Sequence, residues 1–543
     1  MNTPNTPTTP DGPSSGLQAE VRMLPRILLG LASVLILATL LVRSFAQQYD
    51  YSAANVFTLL LGCLSWFTLS LGLATAPLPR WYWRTVAFAP LLMVLITAIF
   101  FRVDRINGEL LPQLKYRWSV AKPLPSESGE AGSGGISASR LAPRASDWPQ
   151  FWGPDRTGTV TDISLNGNWL DAPPQIVWKQ PIGAGWSSFA VQGDVAVTME
   201  QRANEQWVSA YDVETGALLW HTSTPGQHYH ALGGLGPRST PTLIGNRVLA
   251  HMPTGPLLCL DLATGQRIWE IDLYALTGWD QTSAEQRVPW GRTGSPLVID
   301  NLVIVPLGGP KPDSGSLIAV SLQDGHTVWS AGSDGISYSS PQRARLLGVD
   351  QVLMVNEQSV TGHEIASGKV LWTVPWPGQS SAAANVSQPI ALDESRVLLS
   401  KAYGTGCQLV QFAKDADQQW SHRVLWQNKS SLKTKFTSVV VRDHYAYGLN
   451  DGILECIDVD TGKQQWKKGR YRQGQLLLVG DKLLITSESG SLVLVAADPK
   501  DFSELAKLPI IGDVTWNVPA LSGNRLLIRN ADEAALVRLP LLP

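Results

Sequence analysis

The sequence predicts an all-β fold, an eight-bladed propeller with four-stranded blades, tethered to an N-terminal segment of three transmembrane helices. Three observations predict it. An eleven-residue phrase closing on Trp recurs five times between residues 210 and 466. Eight short opening strands, each ending in a polar turn, follow one another about 47 residues apart. Three apolar runs occupy the first 102 residues.

Composition narrows the function classes. The chain has 543 residues, a formal net charge of −2, 44% apolar residues and 16% charged ones. Domains usually run to about 100–200 residues, so this length implies several regions or one large repeat domain. Nucleic-acid binders carry a strongly basic face, and the near-neutral balance argues against one here. Trp is plentiful at 21 while charged residues fall below the usual quarter. Four Cys without a C-x-x-C pair exclude a disulfide scaffold and the common zinc motifs.

Residues 1–22 are rich in Pro, Thr, Asn and Ser, which predicts a disordered N-terminus. The membrane segment, 23–102, holds the runs Ile27–Val42, Val56–Ala76 and Thr85–Phe101. A span takes about 20 residues and at least about 17, so the second run is ample and the outer two are short. Trp81, Tyr82 and Trp83 suit an interfacial aromatic belt. The other reading of the first run is a signal peptide cut after Ser44-Phe45-Ala46, with Arg43 crowding the site. Arg22, Arg26, Arg80 and Arg84 against Arg43 place the N-terminus inside, while Arg102, Arg105, Lys115 and Arg117 pull the other way. The expectation is an inner-membrane protein with its propeller on the periplasmic side. Residues 103–146 form a linker, Ser/Gly/Pro-rich from Pro123 onward. The propeller occupies 147–543.

The repeated phrase reads AYDVETGALLW at Ala210–Trp220, CLDLATGQRIW at Cys259–Trp269 and AVSLQDGHTVW at Ala319–Trp329. It returns as GHEIASGKVLW at Gly362–Trp372 and CIDVDTGKQQW at Cys456–Trp466. A strand ends at the Asp, whose carboxylate can accept backbone N–H bonds within the turn. Gly then supplies the positive φ of a tight hairpin. The next strand closes on Trp, a ring large enough to pack between neighbouring sheets. The position six before each turn Gly is small, which makes Cys259 and Cys456 core residues.

The opening strands are 187–194, 239–246, 294–301, 339–350, 387–394, 437–444, 475–482 and 517–524. The Trp series agrees if Trp178 is included, with degenerate closings near Trp420 or Trp426 and near Leu508. Since Trp178 precedes the first opening strand, its strand is expected to complete the last sheet and join the ends of the ring. A seven-bladed ring would leave one opening strand unassigned.

The phrase A-x-D-x-x-T-G-x-x-x-W resembles the tryptophan-docking repeat of the pyrroloquinoline-quinone (PQQ)-like β-propellers, a superfamily that includes quinoprotein alcohol dehydrogenases and the propeller lipoprotein of the outer-membrane β-barrel assembly machinery. Asp147-Trp-Pro-Gln-Phe-Trp-Gly-Pro154 and Gly469-Arg-Tyr-Arg-Gln-Gly-Gln475 are similar to the bacterial PQQ-binding-like β-propeller repeat proteins. The resemblance covers roughly residues 147–540 and implies structural docking roles for Trp178, Trp220, Trp269, Trp329, Trp372 and Trp466. It implies a fold, and it leaves activity open because docking is structural in every member.

Two functions follow from it. One is a non-catalytic binding or interaction module with a protein partner or an anionic small ligand. The other is a PQQ-dependent membrane quinoprotein dehydrogenase, which needs an indole floor, a bound divalent cation and an Asp base. The sequence has no adjacent Cys-Cys pair, no C-x-x-C-H for haem and no nameable metal cluster. The reading is therefore a binding module with no catalytic residue, no metal and no assigned cofactor, PQQ remaining compatible. His228-Tyr229-His230 reads as a polar loop, and Gly233-Gly234-Leu235-Gly236 lacks the Lys-Ser/Thr of a phosphate loop. Propeller ligands usually meet the loops leading into the innermost strands. Those loops carry Arg238, Arg292, Lys435, Arg470 and Arg472 with the rings Trp186, Tyr338 and Trp516, and contain no Asp or Glu. Converging Arg forks favour carboxylate or phosphate, which predicts an anionic ligand or acidic segment there, bound chiefly through Arg238, Arg292 and Arg472. The alternative is a solvated mouth balanced by acids from other loops.

Overall fold

A computed structural model describes residues 15–46, 50–76, 81–119, 124, 135–309 and 315–542. The chain divides into two compact units, Met1–Val120 and Ala121–Pro543. Most of the expected disordered terminus (1–14) and most of the tether (125–134) lie outside the described residues.

In the first unit, α1 (Ser15–Phe45) packs on α2 (Tyr51–Thr75), and α2 packs on α3 (Trp81–Phe100). Asp50 starts α2, its carboxylate accepting the backbone N–H groups of Ser52 at 2.8 Å and Ala53 at 3.1 Å. The expectation of three spans is met in part. Two helical stretches, Met23–Phe45 and Tyr51–Thr75, are long and apolar enough to cross a membrane. In α3 the apolar stretch among described residues is Leu91–Phe100. α3 as a whole runs 20 residues, Trp81–Phe100, about 30 Å at 1.5 Å per residue. The helix stops there because the chain turns directly into a hairpin of β1 (Phe101–Ile106) and β2 (Pro112–Tyr116).

The second unit is the eight-bladed ring. Seven blades are consecutive four-stranded meanders: 190–225, 242–272, 297–331, 342–375, 390–428, 440–470 and 475–509. The eighth takes three strands from 520–538 and its outer strand, Gln175–Pro181, from the start of the unit. All eight expected opening strands form, and those of blades 1 and 2, 2 and 3, 4 and 5, 6 and 7, and 8 and 1 lie against each other around the axis. The apolar cores are layers between blades. One layer sets Val197, Met199 and Trp220 of blade 1 against Val248, Leu258 and Leu260 of blade 2.

The docking phrase folds as its chemistry dictates. Asp212, Asp261 and Asp458 accept from the backbone N–H and hydroxyl of Thr215, Thr264 and Thr461. Trp220 pairs with Ala210, Trp269 with Cys259 and Trp466 with Cys456, each followed by a β-bulge. Each indole then reaches the next blade. Trp178 donates to the Val213 carbonyl, Trp220 to Leu262, Trp269 to Leu322, Trp329 to Ile365 and Trp466 to Asp498, all at 2.8–3.0 Å.

Three positions depart from the pattern. In blade 5 the closing residue is Trp426, which pairs with Leu409 and donates to Val459 at 3.0 Å; Trp420 lies further back, with Lys414 over its ring. In blade 7 the corresponding position is Ala506 rather than Leu508, paired with Leu494, so the large residue has changed strands. Trp372 donates to Gln351 of its own blade and packs on Phe412, because blade 5 lacks the Thr-Gly turn that would receive it.

Candidate functional site

The axis has two ends, and the sequence furnishes them differently. Residues 135–160 pack on the ring rather than hanging free. Arg140 pairs with Asp212, and the segment 147–160 strings across the ends of the opening strands. Trp148 exchanges backbone hydrogen bonds with Val191 of blade 1, and Leu243 of blade 2 donates to Pro149. Arg156, fully buried, donates to the carbonyls of Pro296 at 2.8 Å and Ser295 at 3.0 Å in blade 3. Burial without a carboxylate partner pushes its guanidinium down to about 9. Thr159 and Val160 then pair in parallel with Leu478 and Val479 of blade 7. Gly158 is required at the last bend: its φ is +65°, and a Cβ there would lie 2.2 Å from the Trp152 indole nitrogen. The phrase DWPQFWGP is thus a plug. It leaves an open cavity of about 550 Å³ lined by Pro154, Arg156, Leu297, Gln342, Arg345 and Ala391.

At the other end, the lead-in loops gather the predicted aromatics. Trp186 lies 4.7 Å from Trp516, Trp516 lies 5.1 Å from Phe436, and Phe436 lies 6.4 Å from Trp290. Trp290 in turn stacks on Tyr338 at 5.7 Å. Five rings from different blades form one chain across the mouth. Phe436 and Trp290 were not singled out from sequence, although each adjoins a lead-in position that was. The rings are anchored: Trp516 donates to Glu488 at 2.7 Å, Trp186 to the Gly233 carbonyl at 2.5 Å, and the Tyr338 hydroxyl to the Ser380 carbonyl at 2.8 Å.

The cations are distributed unevenly around these rings. Arg238 is half-buried and donates to the carbonyls of Trp290 at 3.0 Å and Gly233 at 2.7 Å; burial lowers it to about 10. Arg470, the last residue of blade 6, and Arg472, on the connection to blade 7, are half-buried, Arg472 at φ +56°. Lys435 is buried and pairs with Asp451 at 3.1 Å. Arg292 is fully buried beneath Tyr274 and Trp279, with its guanidinium 4.9 Å from the latter ring, and donates to the Leu307 carbonyl at 3.0 Å. Acids at this face, among them Glu357, Asp451 and Glu488, come from the hairpins between second and third strands of blades 4, 6 and 7, and Asp513 lies on the connection into blade 8. His228, buried beside Arg238, is pushed down to about 3 by burial and then by that charge, so it is neutral at ordinary pH.

A planar cofactor can be tested against this geometry. A slot between two rings takes about 7 Å, twice the contact distance of about 3.5 Å. Trp186 and Trp516 are closer than that and tilted by 40°. A PQQ-sized ring system would stack on one face of the chain of rings rather than enter between them. Among the described residues no group of three or more His, Cys, Asp or Glu stands together as metal ligands.

Eight four-stranded blades, interlocked by indoles and closed by an N-terminal strand, define a PQQ-like β-propeller of the tryptophan-docking class. Within that class, a family model described as outer membrane protein assembly factor BamB matches residues 172–288 and 316–539, and the chain belongs to this family. It is 23% identical over 416 residues to outer membrane protein assembly factor BamB of Yersinia pestis, covering 72% of this chain and 92% of that one. Among solved structures it is similar to BamB of Moraxella catarrhalis, with a TM-score of 0.47, 16% identity and coverage of 67% of this chain and 99% of that one. Quinohemoprotein alcohol dehydrogenase of Comamonas testosteroni aligns with a TM-score of 0.51, 13% identity and coverage of 73% and 81%, a likeness of fold.

Proposed function

We propose that this chain is a membrane-anchored, extracytoplasmic binding module whose aromatic mouth holds an acidic segment of a protein partner, without chemistry of its own. The observation that carries the reading is the asymmetry of the axis. One end is filled by the chain's own plug, whereas the other presents five linked rings, with Arg238 donating to the Trp290 carbonyl and Arg470 and Arg472 at the connection between blades 6 and 7. Aromatic surface contributes most of the energy in protein interfaces, and Arg forks supply direction towards carboxylates. Family membership supports a partner that is a protein. Arg292, held under Tyr274 and Trp279, enters as a fixed charge beneath the surface. The membrane segment would keep the ring at the inner membrane, facing the periplasm.

The test is a pull-down with the full chain in detergent, comparing wild type with Arg238→Gln and Arg472→Gln. Recovery of a partner that weakens in both variants and with rising salt supports the reading. A partner whose binding ignores both substitutions and salt would refute it, provided circular dichroism shows the variants folded.

A further inference from the structure

The hairpin β1–β2 has no role in the ring, and its two faces differ sharply. Cross-strand pairing sets Phe101 opposite Tyr116 and Val103 opposite Leu114 on one face, with Arg102 opposite Lys115 on the other. The apolar face is exposed: Val103 at 57%, Leu114 at 53% and Trp118 at 59%. Phe100, Phe101, Tyr116 and Trp118 form one cluster, with ring centroids 5.1–6.5 Å apart. An isolated two-stranded hairpin is marginal in water, and a contiguous apolar face of this kind marks a contact surface.

The hairpin is pinned at both ends to the ends of helices. At its base the Arg117 backbone N–H donates to the Phe100 carbonyl at 2.9 Å, and its guanidinium donates to the Ala98 carbonyl at 3.0 Å, closing the C-terminus of α3. At its tip, Asn55 near the start of α2 donates to the Glu109 carbonyl at 2.9 Å, and Ser52 donates to Gly108 at 3.2 Å. Arg43 at the end of α1 holds Asn55 from the other side at 2.6 Å. These attachments put the hairpin across one end of the helix set, at the level where the apolar helices finish. A surface there meets the boundary between acyl chains and headgroups.

We propose that β1–β2 is an interfacial anchor: its aromatic face lies in the boundary of an anionic bilayer, and Arg102 and Lys115 meet lipid phosphates. The proposal rests on the membrane reading above. Aromatic residues settle at this depth, and each cation near an anionic surface contributes about 1 kcal/mol, a factor of about five in local anionic lipid. Asp104 offsets part of this, lying 3.3 Å from Arg105 and 3.9 Å from Lys115.

The test uses the full chain with Cys63→Ser, the other three Cys being buried, and a fluorescent nitrobenzoxadiazole label at Val103→Cys. A matched label at Leu170→Cys, 96% exposed on the propeller unit, is the aqueous reference. The protein is reconstituted in phosphatidylcholine vesicles with or without phosphatidylglycerol. The Val103 label is expected to emit to the blue of the Leu170 label and to be quenched by lipids spin-labelled near the headgroup. Arg102→Gln with Lys115→Gln should lower phosphatidylglycerol enrichment around the protein by about five-fold per charge. A Val103 label quenched by aqueous iodide as readily as Leu170, in a chain that resists alkaline extraction, overturns the hairpin proposal alone. A label shielded from both iodide and spin-labelled lipid means that the propeller or a second copy covers the face, which also overturns it. Release of the chain by alkaline extraction overturns the membrane reading and the hairpin with it. Enrichment unchanged by the double substitution overturns the assignment of Arg102 and Lys115.

Discussion

Gly265→Ala, made alone and together with Trp220→Ala, probes blade docking more sharply than either change by itself. Gly265 ends the Asp261 turn of blade 2 at φ +73°, and a Cβ built there would lie 2.6 Å from Cε3 of the Trp220 ring. That ring has nowhere to go, being 7% exposed and donating to the Leu262 carbonyl at 2.9 Å. The substitution therefore incurs two costs. An L-residue in the left-handed region costs about 1–2 kcal/mol, and overpacking against a fixed ring costs about 1–3 kcal/mol. Trp220→Ala costs about 3–5 kcal/mol through the cavity it leaves. If the sites were independent, the double variant would lose the sum. Removing the ring, however, abolishes the overpacking, so the double variant should be more stable than the sum by about 1–3 kcal/mol. The assay is urea unfolding of the four proteins in detergent, followed by the circular dichroism of the sheet. Additivity within about 0.5 kcal/mol would mean that turn and ring do not touch, and the docking geometry would be wrong.

Three further outcomes can be measured. His251 is fully buried with Nδ1 2.8 Å from the Gly294 carbonyl, and burial followed by the Arg292 charge pushes it down to about 3. It stays neutral when folded but takes a proton near 6.5 when unfolded, so its stabilisation is complete above that pH and falls away as pH drops towards 3, by at most about 1.4 kcal/mol per unit; His251→Gln should flatten the pH dependence of the unfolding midpoint between pH 6.5 and 5, and an unchanged slope would contradict this. Arg156→Leu removes a donor from the Ser295 carbonyl and leaves the Pro296 carbonyl with the Thr242 hydroxyl at 2.6 Å, a loss of about 1–3 kcal/mol for the buried Ser295 group, and should speed hydrogen exchange at the Leu478 amide, which donates to Gly158 at 2.8 Å; exchange as slow as in wild type would show that the plug does not depend on Arg156. A reporter fused after Pro543 should work only if it is one that functions outside the cytoplasm, and a cytoplasm-only signal would reverse the orientation.

Blade number and ring closure were legible because both rest on local, repeated chemistry. The turn Gly, the Asp before it and the Trp after it lie within eleven residues, so each unit announces itself without knowledge of the others. Closure followed from one displaced Trp, and Trp178 does complete the sheet of the last blade, pairing with Leu536. Blade 7 was harder to place. There the large residue moved from the closing strand to its partner, giving Leu494 and Ala506, and a pattern anchored on Trp cannot register that exchange. The mouth was legible in its rings but not in its charge balance. Lead-in loops can be read as a series, whereas Asp451 and Glu488 reach the same face from hairpins whose neighbours only the fold supplies. The plug was visible as the string DWPQFWGP, yet its place on the axis depends on backbone hydrogen bonds to blades 1, 2 and 7, which side-chain identity does not encode. The hairpin β1–β2 fell within a stretch read as span and linker because its alternation is only a few residues long.

The closing strand and the plug belong to one argument about the axis. Residues 147–181 first cross the ends of the opening strands and then complete blade 8, so a single continuous segment both fills one end of the ring and locks it. The seam it locks is reinforced from the other side. Arg529 of blade 8, fully buried, donates to Thr198 at 2.8 Å and to the Gly183 carbonyl at 2.7 Å, while the Gly183 N–H donates to Glu200 at 2.7 Å. Burial pushes the Glu200 carboxyl up, but Arg202, Arg529 and the Tyr211 hydroxyl together hold it below its usual range, so it remains charged inside the seam. A buried carboxylate between two guanidiniums is costly to assemble and costlier to leave half-made. Blade 1 and blade 8 therefore gain little from partial contact and much from complete closure. That makes the seam all-or-none, and it sets the locked, plugged end of the axis apart from the opposite mouth, where we propose that a partner binds.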